Sequence, residues 1–181
     1  TNNIINIGFI GELRKEKGPD IFIQTILDFN KENNPKIFGH MYGSGIEEKN
    51  LKNKINQNSN IKMYGNVSDV NSKLSNIDVL IVSSRFESLG YVILEAINHG
   101  VLVICSGVGG TSEIIIDGYN GFIVSENIAS NYINTIERLR KHTEDELDLI
   151  RNNAFTSIKA KFNENLMKSN LNKVYKNLLK P

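Results

Sequence analysis

The stretch Val79-Leu80-Ile81-Val82-Ser83-Ser84-Arg85-Phe86-Glu87-Ser88-Leu89-Gly90-Tyr91-Val92-Ile93-Leu94-Glu95-Ala96 decides how this chain folds. Its first four residues form a continuous apolar run that reads as a strand buried on both faces. Ser83 to Leu89 then form a polar loop, and a helix begins near Gly90. The order strand, loop, helix places the loop at the carboxyl edge of a parallel sheet. There the first-turn N–H groups of the helix and its dipole favour an anionic ligand. Glu87 lies on the loop and Glu95 about one and a half turns into the helix. Two carboxylates at one mouth of a sheet can accept hydrogen bonds from hydroxyl groups. An anion site beside hydroxyl acceptors suits a sugar nucleotide.

The same alternation extends in both directions. Ile4 to Ile10, Lys36 to Tyr42, Ile61 to Tyr64, Val101 to Cys105 and Gly121 to Val124 read as further strands. Helical patterns fall between them, at Asp20 to Asn33, Ile46 to Gln57 and Asp69 to Ser75, and then at Ile128 to Lys141, Glu144 to Ala160 and Asn163 to Leu179. Alternating βα units imply an α/β, Rossmann-like domain: a parallel sheet of about six strands with helices on both faces. The 181 residues carry no internal repeat and no low-complexity linker, so residues 1–181 are expected to form a single domain.

Composition narrows the class. A formal net charge of +1 gives no reason to expect nucleic acid or an anionic membrane as the main partner. The single cysteine, Cys105, rules out an intrachain disulfide framework and fits a reducing, cytoplasmic setting. No apolar run approaches the roughly 18 residues of a membrane span. The abundance of Asn, Ile and Lys fits an AT-rich, bacterial genome. His40, His99 and His142 show no metal-ligand spacing with one another or with Cys105, so no metal and no other cofactor is expected. GxxxxGK[ST] and GxGxxG are both absent, which argues against an ATPase and a standard nicotinamide site.

Other segments carry weaker signals. Gly11-Glu12-Leu13-Arg14-Lys15-Glu16-Lys17-Gly18 joins the first strand to the first helix. It reads as a cationic loop over a diphosphate, with Lys17 as a point charge, or equally as a solvated loop in which Glu12 and Glu16 pair the basic residues. Gly107-Val108-Gly109-Gly110-Thr111 removes side chains where a ligand or a neighbouring backbone comes close. Glu113, in the first turn of the next helix, suits the dipole without any ligand. Gly43-Ser44-Gly45 and Gly65-Asn66-Val67 end the second and third strands at the same sheet edge, and ordinary turn chemistry explains each one separately.

Taken together these motifs resemble the donor-binding, C-terminal half of the family 4 retaining glycosyltransferases, which have the GT-B fold. The resemblance rests on Ser83 to Glu87 through Glu95-Ala96, on His99-Gly100-Val101, on Gly109 to Ile114 with Asp117-Gly118 and Asn120-Gly121, and on Gly8 to Gly18. It runs from about Ile4 to the C-terminal helix. It implies that the substrate is a UDP- or GDP-sugar, and that Glu95 accepts hydrogen bonds from the ribose hydroxyls. Glu87 would face the donor sugar, and Lys17 would stabilise the departing diphosphate. Gly11 and the backbone of Ser88, Leu89 and Gly90 would lie at the donor, with the base near Asn66 and Val67. The family carries an arginine where this chain has Glu12; Arg14 is the candidate to replace it. The resemblance further implies a missing N-terminal acceptor domain, through which any membrane association would come, and a role in polysaccharide or glycoconjugate synthesis. A sugar-nucleotide epimerase half and a non-catalytic nucleotide-sugar-binding domain are the alternatives.

Overall fold

The computed structural model describes residues 5–32, 36–55 and 60–178. Six strands build one sheet: β1 (Asn6–Ile10), β2 (Phe38–Tyr42), β3 (Ile61–Met63), β4 (Val79–Val82), β5 (Leu102–Cys105) and β6 (Phe122–Ile123). Their order is β3-β2-β1-β4-β5-β6 and every pairing is parallel. The helices are α1 (Pro19–Glu32), α2 (Glu48–Ile55), α3 (Asn71–Leu74), α4 (Tyr91–Asn98), α5 (Thr111–Ile114), α6 (Ala129–Leu139), α7 (Glu144–Lys161) and α8 (Glu164–Leu178). This is the expected α/β, Rossmann-like sheet with helices on both faces. The direction of strand order reverses between β1 and β4, and crevices at such a switch point are where open α/β sheets bind ligands.

The apolar strand runs are shared between two cores. Alternate residues of β4 point to opposite faces: Val79 and Ile81 join Phe22, Phe29 and Tyr132 from α1 and α6. Leu80 and Val82 join Ile93, Ile97, Ala154 and Ile158 from α4 and α7. Burial on both faces explains why these strands read as unbroken apolar runs rather than as alternating patterns.

Several boundaries are tighter than the apolar patterns suggest. The second strand starts at Phe38 rather than Lys36, and the sixth is only Phe122–Ile123. The loop after β1 contains a 3-10 turn, Lys15–Lys17, which the periodicity did not register. α7 starts at a capping box: Thr143 accepts from the Glu146 N–H while the Glu146 side chain accepts from the Thr143 N–H. Positions Ile4, Asn33, Gln57 and Leu179, expected to begin or end elements, lie outside the described residues. Within α8 no residue is buried, although Met167, Leu171, Val174 and Leu178 recur at helical spacing.

Candidate functional site

At the carboxyl edge of β1 and β4 a cavity of about 520 Å³ opens between the loop after β1 and the first turn of α4. Gly11, Lys17, Glu87, Ser88, Leu89, Gly90 and Glu95 all line it, so most of the residues singled out in the sequence converge. Lys17 Nζ lies 2.7 Å from Glu87 Oε2, joining residues 70 positions apart. Glu87 is only 8% exposed and Lys17 25%. Ser84, itself buried, donates to the same carboxylate oxygen at 3.1 Å. A carboxylate taken this far from water needs such partners, because an unpaired buried charge carries a penalty of several kcal/mol.

Glu95 stands exposed on α4, with Tyr91 and Val92 beside it on the cavity wall. Gly90 is the N-cap of α4, with φ 80 in the left-handed region, and no side chain caps it. No acidic residue occupies the first turn. The positive end of the helix therefore faces the cavity without a competing carboxylate of its own turn.

A second opening of about 400 Å³ adjoins the first and shares Ile10 and Gly11 with it. Asn66 and Val67 line it together with Gly43, Ser44 and Gly45. Both loops named in the sequence thus reach the same edge. Glu12 also faces this second opening, whereas Arg14 lines neither cavity. Arg14 Nε instead lies 3.3 Å from Glu12 and 3.9 Å from Glu16, all three being exposed. For Arg14 the solvated-loop reading describes the arrangement; for Lys17 it does not.

The glycine loop has a physical explanation that spacing alone left open. A Cβ on Gly109, whose φ is +57, would lie 1.8 Å from the Glu87 carbonyl oxygen, and one on Gly110 would lie 2.1 Å from that of Ser88. The Gly110 N–H donates to Ser88 O at 2.8 Å. These glycines serve a neighbouring backbone: they let the loop after β5 press against the glutamate loop and hold it.

Sequence reasoning missed other supports. Asn127 donates through Nδ2 to the carbonyls of Ser83 and Ser84, each at 3.0 Å, and accepts from the Tyr132 hydroxyl at 2.8 Å. Ser106 donates to Ser84 O at 2.7 Å. Asn127 and Ser106 stand 22 or more positions from the carbonyls they hold, so no local pattern could have found them. Among the described residues no three His, Cys, Asp or Glu side chains gather to hold a metal ion. Burial pushes the Cys105 thiol up to about 11, which leaves it inert as a nucleophile. No described helix is long and apolar enough to cross a membrane.

This geometry can set a cation and a carboxylate side by side under a helix N-terminus, with a second carboxylate on that helix. Residues 3–155 match the family model described as glycosyl transferases group 1. The chain belongs to that family. Among curated relatives, an uncharacterised glycosyltransferase of Methanocaldococcus jannaschii is 35% identical over 125 residues, covering 66% of this chain and 33% of that protein. The capsular polysaccharide biosynthesis glycosyltransferase CapM of Staphylococcus aureus is 28% identical over 184 aligned residues, covering 99% and 48%. Granule-bound starch synthase 1 of Triticum aestivum is 30% identical over 121 residues, covering 64% and 19%. This glycosyltransferase chain thus spans half or less of these relatives.

Solved structures agree on the fold. Anabaena Alr3699/HepE, crystallised with UDP, superposes with a TM-score of 0.85 at 22% identity, over 97% of this chain and 49% of that one. The C-terminal domain of the group 1 protein LpcC from Francisella tularensis superposes at 0.77 with 24% identity, covering 88% and 87%.

Proposed function

We propose that this chain is the donor-binding half of a longer, cytoplasmic, retaining glycosyltransferase of family 4 type, which moves a hexose from a UDP- or GDP-sugar to an acceptor hydroxyl in polysaccharide or glycoconjugate synthesis. The observation that carries the reading is the convergence of Lys17, Glu87 and Glu95 on one cavity beneath the N-terminus of α4. Two relatives add weight. The HepE structures hold UDP and UDP-glucose, and CapM is named for capsular polysaccharide synthesis.

In this reading the diphosphate sits between Lys17 and the first turn of α4, and Gly11 lets the backbone approach it. Glu95 accepts the ribose hydroxyls, Asn66 and Val67 border the base, and the N–H groups of Ser88, Leu89 and Gly90 meet the phosphate or the sugar. Glu87 binds sugar hydroxyls near the anomeric carbon. The bond from that carbon to the diphosphate oxygen breaks and its electron pair leaves with the nucleoside diphosphate. Lys17 stabilises the growing charge. The acceptor oxygen bonds to the same face of the sugar and its proton passes to the departing phosphate, so the domain supplies no general base and needs no metal. Arg14 reaches the diphosphate only by leaving Glu12 and Glu16.

Calorimetric titration with UDP, GDP and ADP tests this. Saturable binding of UDP or GDP, weakened in both Lys17→Ala and Glu95→Ala, is the expected result; unchanged binding in both variants refutes it. The chain by itself is expected to bind the nucleotide weakly and to transfer no sugar.

A further inference from the structure

Arg85 lines neither opening, yet its side chain reaches across the chain beside them. Its Nη1 donates to the Lys15 carbonyl at 2.7 Å and to Asp20 Oδ1 at 2.8 Å, and its Nη2 donates to Asp20 Oδ2 at 2.7 Å. Lys15 and Asp20 flank Lys17: the first opens the 3-10 turn and the second lies in the first turn of α1. The guanidinium fork therefore spans the base of the segment that carries the lysine. The Arg85 and Phe86 N–H groups both donate to Glu16 O, at 2.7 and 3.3 Å, and Ser83 Oγ donates to Gly18 O at 2.7 Å. A Cβ at Gly18, with φ +68, would lie 1.9 Å from the Ser83 carbonyl oxygen, so the two loops touch backbone to backbone.

We propose that Arg85 is a positioning residue for sugar transfer: by clasping Asp20 and the Lys15 carbonyl it holds the lysine loop against the glutamate loop and sets where Lys17 Nζ stands relative to Glu87. The proposal rests on the reading that Lys17 and Glu87 handle the donor. Two features support it. The pair is bidentate and planar, a geometry that fixes orientation as well as distance. It is also partly exposed, at 38% and 33%, and such pairs contribute little to stability, so its effect is to be sought in geometry. The Arg85 guanidinium holds the Asp20 carboxyl below the usual carboxylate range, so the clasp stays charged at neutral pH.

The test is a double-mutant cycle in the full-length protein that carries this chain, read by UDP or GDP affinity, whichever nucleotide the wild type binds, and by kcat. Arg85→Ala is expected to weaken binding about tenfold and to lower kcat. Arg85→Lys, which keeps the charge and loses the fork, is expected to recover only part of the loss. In a Lys17→Ala background, Arg85→Ala is expected to change nothing further, a non-additivity that general destabilisation does not produce. If Lys17→Ala weakens binding but Arg85→Ala adds the same loss in both backgrounds, or none, the clasp is refuted alone. If Lys17→Ala leaves affinity unchanged, the donor-site reading falls and takes the clasp with it. Should Arg85→Ala fail to fold, Asp20→Asn, nearly isosteric, carries the same cycle with the same outcomes.

Discussion

Two cavities of this molecule are nearly equal in size and opposite in character. One, of about 520 Å³, lies at the carboxyl edge of β1 and β4. The other, of about 590 Å³, lies beside β1 and β2, next to α3 and the turn that follows it. Asn6, His40, Tyr42, Tyr64 and Asp78 line that second one. There the polar groups answer one another: His40 bonds the Tyr64 hydroxyl at 2.9 Å and Asn6 at 3.1 Å, and the Asp78 carboxylate accepts from the Asn6 backbone at 2.7 Å. Tyr64 stacks on Tyr42 with ring centroids 4.6 Å apart, while Lys62 covers it at 4.9 Å. Tyr64 is 39% exposed, yet its hydroxyl and its ring already have these protein partners. At the sheet edge, by contrast, loops from distant parts of the chain aim a cation, a buried carboxylate and a helix N-terminus into one space. Volume does not separate the two; convergence does.

The contrast is most sharply tested by removing the cation. Lys17→Ala is expected to weaken nucleoside-diphosphate binding by roughly 10- to 100-fold, the range of a lost hydrogen bond to a charged group. Titration of the variant beside wild type reads this directly. An unchanged dissociation constant would overturn the proposed role of this cavity as a donor site.

A smaller effect is expected from the glycines. Gly109→Ala and Gly118→Ala both place a side chain at positive φ, +57 and +73, and that strain costs about 1–2 kcal/mol in each. Only at Gly109 does the new Cβ also meet a neighbour, the Glu87 carbonyl; at Gly118 nothing lies within 4 Å. Gly109→Ala should therefore melt lower than Gly118→Ala, and it alone should weaken nucleotide binding. Equal melting points would mean that the glutamate loop tolerates displacement.

Asp78→Ala in the cavity beside β1 and β2 is expected to lower the melting temperature and to leave nucleotide affinity within about twofold, since its carboxylate holds the Ile5 and Asn6 N–H groups at the opposite, amino end of β1. A tenfold loss of affinity would show that the two cavities are coupled.

The smallest effect is one of pH. Burial lowers His40 below its ordinary 6.5, with Asp78 opposing the shift and Lys62 adding to it. Below about pH 6.5 the unfolded chain binds this proton before the folded one does, so His40 makes stability fall with acid. Replacing it in His40→Gln should flatten that part of the stability–pH curve, measured by denaturant unfolding between pH 7 and 5.

What could be read in the sequence was whatever follows from local pattern. Val79 to Val82 announced a doubly buried strand, and the loop and helix that follow it placed Glu87 and Glu95 at one edge. Lys17 entered through the glycine-bounded basic loop. Spacing could not say whether the glycines of Gly107 to Gly110 serve a ligand or a backbone, because the answer depends on Glu87 and Ser88, on the loop of the neighbouring strand. Nor could it separate Arg14 from Lys17. Both are cations in one loop, and only folding shows one turned to Glu12 and the other to Glu87. The Arg85–Asp20 pair was invisible for the same reason, since 65 positions separate side chains that say nothing individually.

The pairing of β1 with β4, Ile7 opposite Val79 and Gly8 opposite Leu80, has a consequence for how the protein comes into being. Strands adjacent in space but so distant along the chain meet only after a large loop closes, which makes such contacts slow to form. As the chain leaves the ribosome, β1, β2 and β3 can associate while Glu87 has yet to be synthesised. During that interval the lysine loop has no counterion across the cleft and the α4 face of β1 has no cover. The binding edge thus cannot exist until β4 and the loop after it have been made, and its appearance reports that β1 and β4 have met.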